Sequence, residues 1–112
     1  METSTNFNST DESLLECLSV LSDRQRSRIV VQLTKGEYCS CELVKLLGIR
    51  QNTLSHHLKI LRDQDIVWSR KRPSDQRWIY YRLNPDKLRL LSGVLSSWAI
   101  LADASVFPCS FP

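Results

Sequence analysis

Gly48-Ile-Arg-Gln-Asn-Thr-Leu-Ser-His-His-Leu-Lys-Ile-Leu-Arg-Asp63 is the stretch on which the fold turns. Leu54, Leu58 and Leu61 recur at i, i+4 and i+7, the spacing of a single apolar stripe on an α-helix. That spacing predicts a helix over about 52–64 with its leucines towards the core. Just upstream, Leu43, Val44, Leu46 and Leu47 predict a short helix that Gly48 stops. Two helices joined by a tight glycine turn, the second polar and basic on its outer face, make a helix-turn-helix. The second helix is then a reader of base edges. Asn and Gln pair bidentately with adenine, Ser and Thr both donate and accept, and Lys favours guanine or phosphate. Gln51, Asn52, Thr53, Ser55, His56 and Lys59 are the predicted DNA contacts. His57 is assigned to packing or to a phosphate.

Downstream, Ile66-Val-Trp-Ser-Arg-Lys-Arg72 and Arg77-Trp-Ile-Tyr-Tyr-Arg-Leu83 are β-branched and aromatic and flank Pro73-Ser-Asp-Gln76. This is a hairpin pattern. Arg70, Lys71, Arg72 and Arg77 crowd its tip, so the hairpin reads as a wing directed at DNA backbone or minor groove. Asn84 then caps a last helix with Pro85 at its first position. It runs to about Asp103, and Leu88, Leu91, Leu95, Trp98 and Leu101 give it a face too apolar for a lone surface helix. Upstream of the reader, Ser9 or Thr10 caps a first helix bearing Leu14, Leu15, Leu18 and Leu21. A second helix starts at Ser22-Asp23, carries Ile29, Val30 and Leu33, and is expected to end at Gly36.

The predicted fold class is mainly α with a β-hairpin (α+β), a winged helix-turn-helix. The domain spans 10–104, between a flexible segment 1–9 and a tail 105–112. With 112 residues the core is small, and association into a homodimer would stabilise it. Nothing approaches the ~18 consecutive apolar residues of a membrane span, and the first residues lack the basic and apolar regions of a secretory signal. The expected compartment is the cytoplasm, with no membrane partner.

Net charge is +3, but it is unevenly placed. Residues 1–22 carry Glu2, Asp11, Glu12 and Glu16 and no Lys or Arg, a charge of −4. Residues 50–82 carry eight Lys and Arg against Asp63, Asp65 and Asp75, a charge of +5. Such a basic stretch suits a phosphate backbone. An enzyme is not expected: no general acid/base pair, phosphate-binding glycine loop or Ser/His/Asp spacing is present.

Cys39-Ser-Cys41 stands directly before the helix-turn-helix, and Cys17 and Cys109 are the other cysteines. Without an export signal, a disulfide framework is disfavoured, leaving metal binding, redox sensing or inert burial. Thiolates at a helix start are stabilised by the backbone dipole, which predicts a lowered pKa. Residues i and i+2 of a helix point about 200° apart, so ligation by both is expected to unwind the first turn. Thiolate softness selects Cu(I), zinc, cadmium, and trivalent arsenic or antimony. Two cysteines leave a three-coordinate ion short of one ligand, which Cys17 or Cys109 would supply, from the same subunit or its partner.

Glu37-Tyr-Cys-Ser-Cys-Glu-Leu43, Leu54-Ser-His-His-Leu-Lys-Ile-Leu61 and Trp78-Ile-Tyr-Tyr-Arg-Leu83 resemble the ArsR/SmtB family of bacterial metalloregulatory repressors. The likeness spans about residues 12–101. It is most specific at the Cys-x-Cys-Glu-Leu step, similar to the family's ELCVCDL metal box, and at the Ser-x-His-Leu-x-x-Leu reader. It implies a winged-helix homodimer, formed largely by the first and last helices, that represses an operon until a metal or metalloid releases it from a palindromic operator. Arsenite-sensing members often carry a third cysteine three residues after the second; here Val44 stands there. Zinc-sensing members use Asp and His pairs on the last helix; this chain has Asp86 and Asp103 but no histidine after His57. The family's usual glycine after the reader is Asp65, which tolerates a left-handed backbone.

The sequence therefore predicts a repressor of metal or arsenic resistance that binds a double-stranded operator. Cys39 and Cys41, with Cys17 or Cys109, take the inducer: trivalent arsenic or antimony first, cadmium, lead or zinc second. The alternatives are the same fold sensing oxidants or persulfide, and a constitutive DNA-binding domain with structural cysteines.

Overall fold

The computed structural model describes residues 9–105, and for 75–77 the backbone only. The expectations for residues 1–8 and for the tail from 106, Cys109 included, lie outside the described residues. The elements run α1 (Ser9–Leu21), α2 (Arg24–Leu33), β1 (Tyr38–Cys39), α3 (Ser40–Leu47), α4 (Gln51–Asp63), β2 (Val67–Arg72), β3 (Asp75–Leu83) and α5 (Pro85–Ala104). This is the mainly helical winged helix-turn-helix read from the sequence, with one addition, β1.

Capping chemistry sets most boundaries. Asp23 caps α2, its Oδ1 accepting from the backbone N–H of Gln25 at 2.9 Å and of Arg26 at 3.1 Å. These bonds, the one from Arg26 foremost, hold its carboxyl below the ordinary range. Gly36 does not cap α2. The helix closes at Thr34 in the right-handed region, and Gly36 lies two residues further, at φ 152°, where the chain extends into β1. Gly48 does stop α3, in the left-handed region at φ 66°, its N–H donating to the Val44 carbonyl at 3.0 Å.

Leu54, Leu58 and Leu61 are buried as the periodicity requires, packed with Leu14, Ile29, Leu43, Ile66 and Val67. Burial of that stripe against α1, α2 and α3 fixes the roll of α4, and so which face it turns outward. The sheet is antiparallel in the order β1-β3-β2. Pairing in the hairpin shifts between Lys71 and Arg72, and the turn is tighter than expected, with β3 already under way at Asp75.

The wing is joined to α5 through Asn84. Its Oδ1 accepts from the N–H of Asp86 at 3.0 Å and of Lys87 at 3.3 Å, while its Nδ2 donates to the Asp65 carbonyl at 2.8 Å. Asp65 itself is left-handed, at φ 58°. Asn84→Ala is expected to cost about 1–3 kcal/mol, because a cap is removed and a half-enclosed carbonyl goes without its donor. A thermal melt checks it, at about 4–8 °C per kcal/mol for a domain of this size.

Trp98 Nε1 donates to Asp11 Oδ1 at 2.9 Å and joins α5 to α1. Both helices leave apolar side chains in the open: Leu18 of α1, and Leu90, Leu95, Ile100 (67% exposed) and Leu101 (64% exposed) of α5. Among the described residues no helix is long and apolar enough to cross a membrane.

Candidate DNA-reading and thiol site

The reader face is presented as the leucine stripe dictates. Gln51, Asn52, Ser55, His56 and Lys59 are exposed on α4, and Thr53 is half-buried. Gln51 Nε2 donates to Ser55 Oγ at 3.2 Å, and Lys59 Nζ pairs with Asp63 at 2.9 Å. Both interactions are exposed and i, i+4, worth a few tenths of a kcal/mol. Neither is strong enough to lock its side chain in place.

His57 takes no part in that face. It is buried against α2, with Nδ1 3.2 Å from Arg26 Nη1 and Nε2 3.0 Å from Gln25 Oε1. A guanidinium only donates, so Nδ1 is the unprotonated nitrogen and Nε2–H donates to Gln25. Burial pushes its pKa down, against the pull of Asp23. Arg26 is held in turn by Nε donating to the Val20 carbonyl at 2.7 Å. Packing is thus the realised half of the expectation for His57. The signal was its place at i+3 from Leu54, within the apolar stripe.

In the wing, Lys71 is exposed. Arg70 grips Glu37 with a bidentate fork, Nε to Oε2 and Nη2 to Oε1, each 2.7 Å. That fork holds the Glu37 carboxyl below its ordinary pKa and raises that of Arg70. Arg72 lies over the Tyr80 ring at 4.7 Å, and Arg82 over Trp68 at 5.0 Å. Arg77 belongs to β3, where only its backbone is described. Glu37 and Tyr80 hold two wing cations; both lie in stretches that carry the family resemblance, but nothing in the sequence marks either as the partner of a wing cation. An acid before a strand and a tyrosine within one carry no distinctive pattern.

The thiols are arranged differently from the expectation. Cys39 is not helical: it is the N-cap of α3, at φ −81° and ψ 163°, and the last residue of β1. The 200° divergence therefore does not apply, and Cys39 Sγ meets Cys41 Sγ at 2.6 Å with the first turn of α3 intact. Glu42 completes the cap, its Oε1 accepting from the Cys39 N–H at 2.9 Å. The predicted lowering of pKa also fails at Cys39. Burial, followed by the hydrogen bond with Cys41, pushes its thiol up to about 11. At this site desolvation outweighs the helix dipole.

Cys17 lies elsewhere, fully buried in the core on α1, with Sγ 3.7 Å from Gln64 Oε1 and its pKa raised by burial. Among the described residues no three Cys, His, Asp or Glu side chains gather into a metal site. The structure joins Cys39 to Cys41 and does not add Cys17. Cys109 lies outside the described residues.

Residues 23–69, from the cap of α2 to β2, match the profile described as bacterial regulatory protein, arsR family. The chain is 40% identical over 73 residues to an arsenical resistance operon repressor of Staphylococcus aureus, covering 65% of this chain and 67% of that one. Its fold superposes on an ArsR-like transcriptional regulator from Rhodococcus with a TM-score of 0.78, at 23% identity, over 87% of this chain and 89% of that one. The repressor BigR from Xylella fastidiosa aligns with a TM-score of 0.63 at 29% identity, over 88% and 96% of the two chains. With a reader helix, a wing and these likenesses in agreement, the chain belongs to the arsR family of bacterial regulatory proteins, which are transcriptional regulators and not enzymes.

Proposed function

We propose that the protein represses an arsenic or metal resistance operon and leaves its operator when a thiophilic ion binds Cys39 and Cys41. The observation that carries this reading is the approach of the two sulfurs, one at the end of β1 and one in the first turn of the helix that leads into the reader. Trivalent arsenic or antimony suits the pair best; cadmium, lead and zinc come second. Two thiolates around one tetrahedral zinc, with Zn–S of about 2.3 Å, stand roughly 3.8 Å apart. The cap position and the first turn of α3 bring both sulfurs to one side, so no helical turn has to melt for them to share an ion. An ion held by Cys39 and Cys41 would tie the end of β1 to the first turn of α3. Cys109, from the same subunit or its partner, is the remaining source of a third thiolate.

The protein acts as a homodimer on a palindromic double-stranded operator. Exposed Leu18, Leu90, Leu95, Ile100 and Leu101 on α1 and α5 support this, since apolar area of that kind is costly to leave in water. Gln51, Asn52, Thr53, Ser55, His56 and Lys59 enter the major groove, while Arg70, Lys71, Arg72 and Arg77 meet phosphates.

The test uses a duplex selected from a random pool by the protein itself. Gel shift with added arsenite is expected to release the wild type, and to release Cys39→Ser and Cys41→Ser only at more than tenfold higher arsenite. Mutants that release as easily as wild type would overturn the ligand assignment. Release by peroxide in the presence of chelator, without an arsenite effect, would point to an oxidative signal. Unchanged affinity under every treatment would mark a constitutive binder.

A further inference from the structure

Two of the wing's cations are held by residues one step from the thiol pair. Across the sheet Cys39 stands opposite Tyr80, and Tyr80 stands opposite Arg70. Residues opposite one another in antiparallel strands project from the same face, so the thiol, the ring and the guanidinium form one row. Glu37, two residues before Cys39, grips Arg70 with both carboxylate oxygens at 2.7 Å. Tyr80 carries Arg72 at 4.7 Å from its ring centre. The fork on Glu37 uses two of the five donors of Arg70, and among the described residues the others have no partner, in a side chain that is 53% exposed. Glu37 thus orients Arg70 without consuming it.

From this arrangement we propose that Glu37 is a positioning residue coupling the thiol pair to the wing. With the thiols unligated, Glu37 aims Arg70 at a DNA phosphate; ligation of Cys39 shifts β1 and withdraws Glu37 from the fork. The proposal rests on the thiol reading above but assigns its output to the wing as well as to the turn between α3 and α4. The mechanical basis is the size of β1. It is a two-residue strand, held by few ladder bonds, and Cys39 is its end. A hydrogen bond weakens over a few tenths of an ångström, so a small shift of this short strand is enough to loosen the fork on Arg70.

The experiment measures affinity for the selected duplex by fluorescence anisotropy, with and without arsenite, over a series of salt concentrations. It compares wild type, Glu37→Gln, Arg70→Gln and the double variant, and a thiol-reactive dye counts the thiols that arsenite protects. Glu37→Gln is expected to protect as many thiols as wild type, while its arsenite-driven loss of affinity shrinks about fivefold, the lower end of ordinary coupling between sites. In the wild type, arsenite lowers the slope of log affinity on log salt by about one, as follows when one phosphate is no longer neutralised by the protein. In Glu37→Gln that slope no longer responds. The double variant responds to arsenite as Arg70→Gln does, because one fork carries the effect. A Glu37→Gln protein that loses affinity as fully as wild type overturns this proposal and leaves the thiol reading standing. Wild-type affinity unmoved by arsenite, with thiols protected, overturns both.

Discussion

Leu54→Ala is expected to destabilise the protein by about 2–5 kcal/mol, the range for a buried leucine truncated to leave a cavity. Leu54 is fully buried where α4 meets the core, among the same side chains as Leu43, Leu58 and Leu61. A domain of this kind has only about 5–15 kcal/mol to lose. The roll of α4 depends on that stripe, so DNA affinity falls together with stability and recovers at lower temperature. Urea unfolding followed by circular dichroism gives the free energy directly. A loss below about 1 kcal/mol would show that α4 is not anchored through Leu54.

Acid should weaken the fold through His57. The ring is buried as its neutral tautomer between Arg26 and Gln25, so its pKa in the folded state lies below the ordinary 6.5. Below 6.5 the unfolded chain takes up a proton that the folded chain resists. Stability from this group is therefore complete above pH 6.5 and is lost as the pH falls through the lower folded value. Arg26 and His56 oppose the charged ring and Asp23 favours it. Asp23, with its own pKa lowered, holds its contribution to a more acid range, so the two losses separate along the pH axis. Urea unfolding at pH 7.5 and pH 5.0 is expected to show a drop in wild type that is clearly smaller in His57→Gln. Equal drops would place the acid sensitivity elsewhere. At neutral pH, Arg26→Met strands His57 Nδ1 and the Val20 carbonyl, at a cost of about 1–3 kcal/mol.

What could be read from the chain alone divides by the range of the interaction. The leucine period of α4, the Asn84-Pro85 start of α5 and the hairpin about Pro73 are local patterns, and the structure realises all of them. Strand β1 is not local. Tyr38 and Cys39 are extended because Tyr81 and Tyr80, some forty residues on, pair with them, and a two-residue strand has no period to detect. The mistaken thiol geometry followed from the same omission. Placing Cys39 inside a helix gave divergent sulfurs, whereas a cap residue with extended backbone turns its sulfur back over the first turn. The pKa expectation failed because the dipole of a helix start is written in the sequence and the depth of burial is not. Gly36 was misjudged for a simpler reason: a glycine near a helix end marks flexibility as readily as a cap.

Cys39 ends a strand, caps a helix and carries a thiol, all at one position. Anyone redesigning the proposed ion site inherits that overlap. A histidine or carboxylate exchanged into position 39 to recruit a harder ion changes the wing register and the helix start in the same step, and its effect on DNA cannot be assigned to the ion alone. Position 41, helical and free of strand pairing, is the cleaner place to test the proposed selectivity. New specificities should therefore be easier to evolve by exchanging the second thiol than the first.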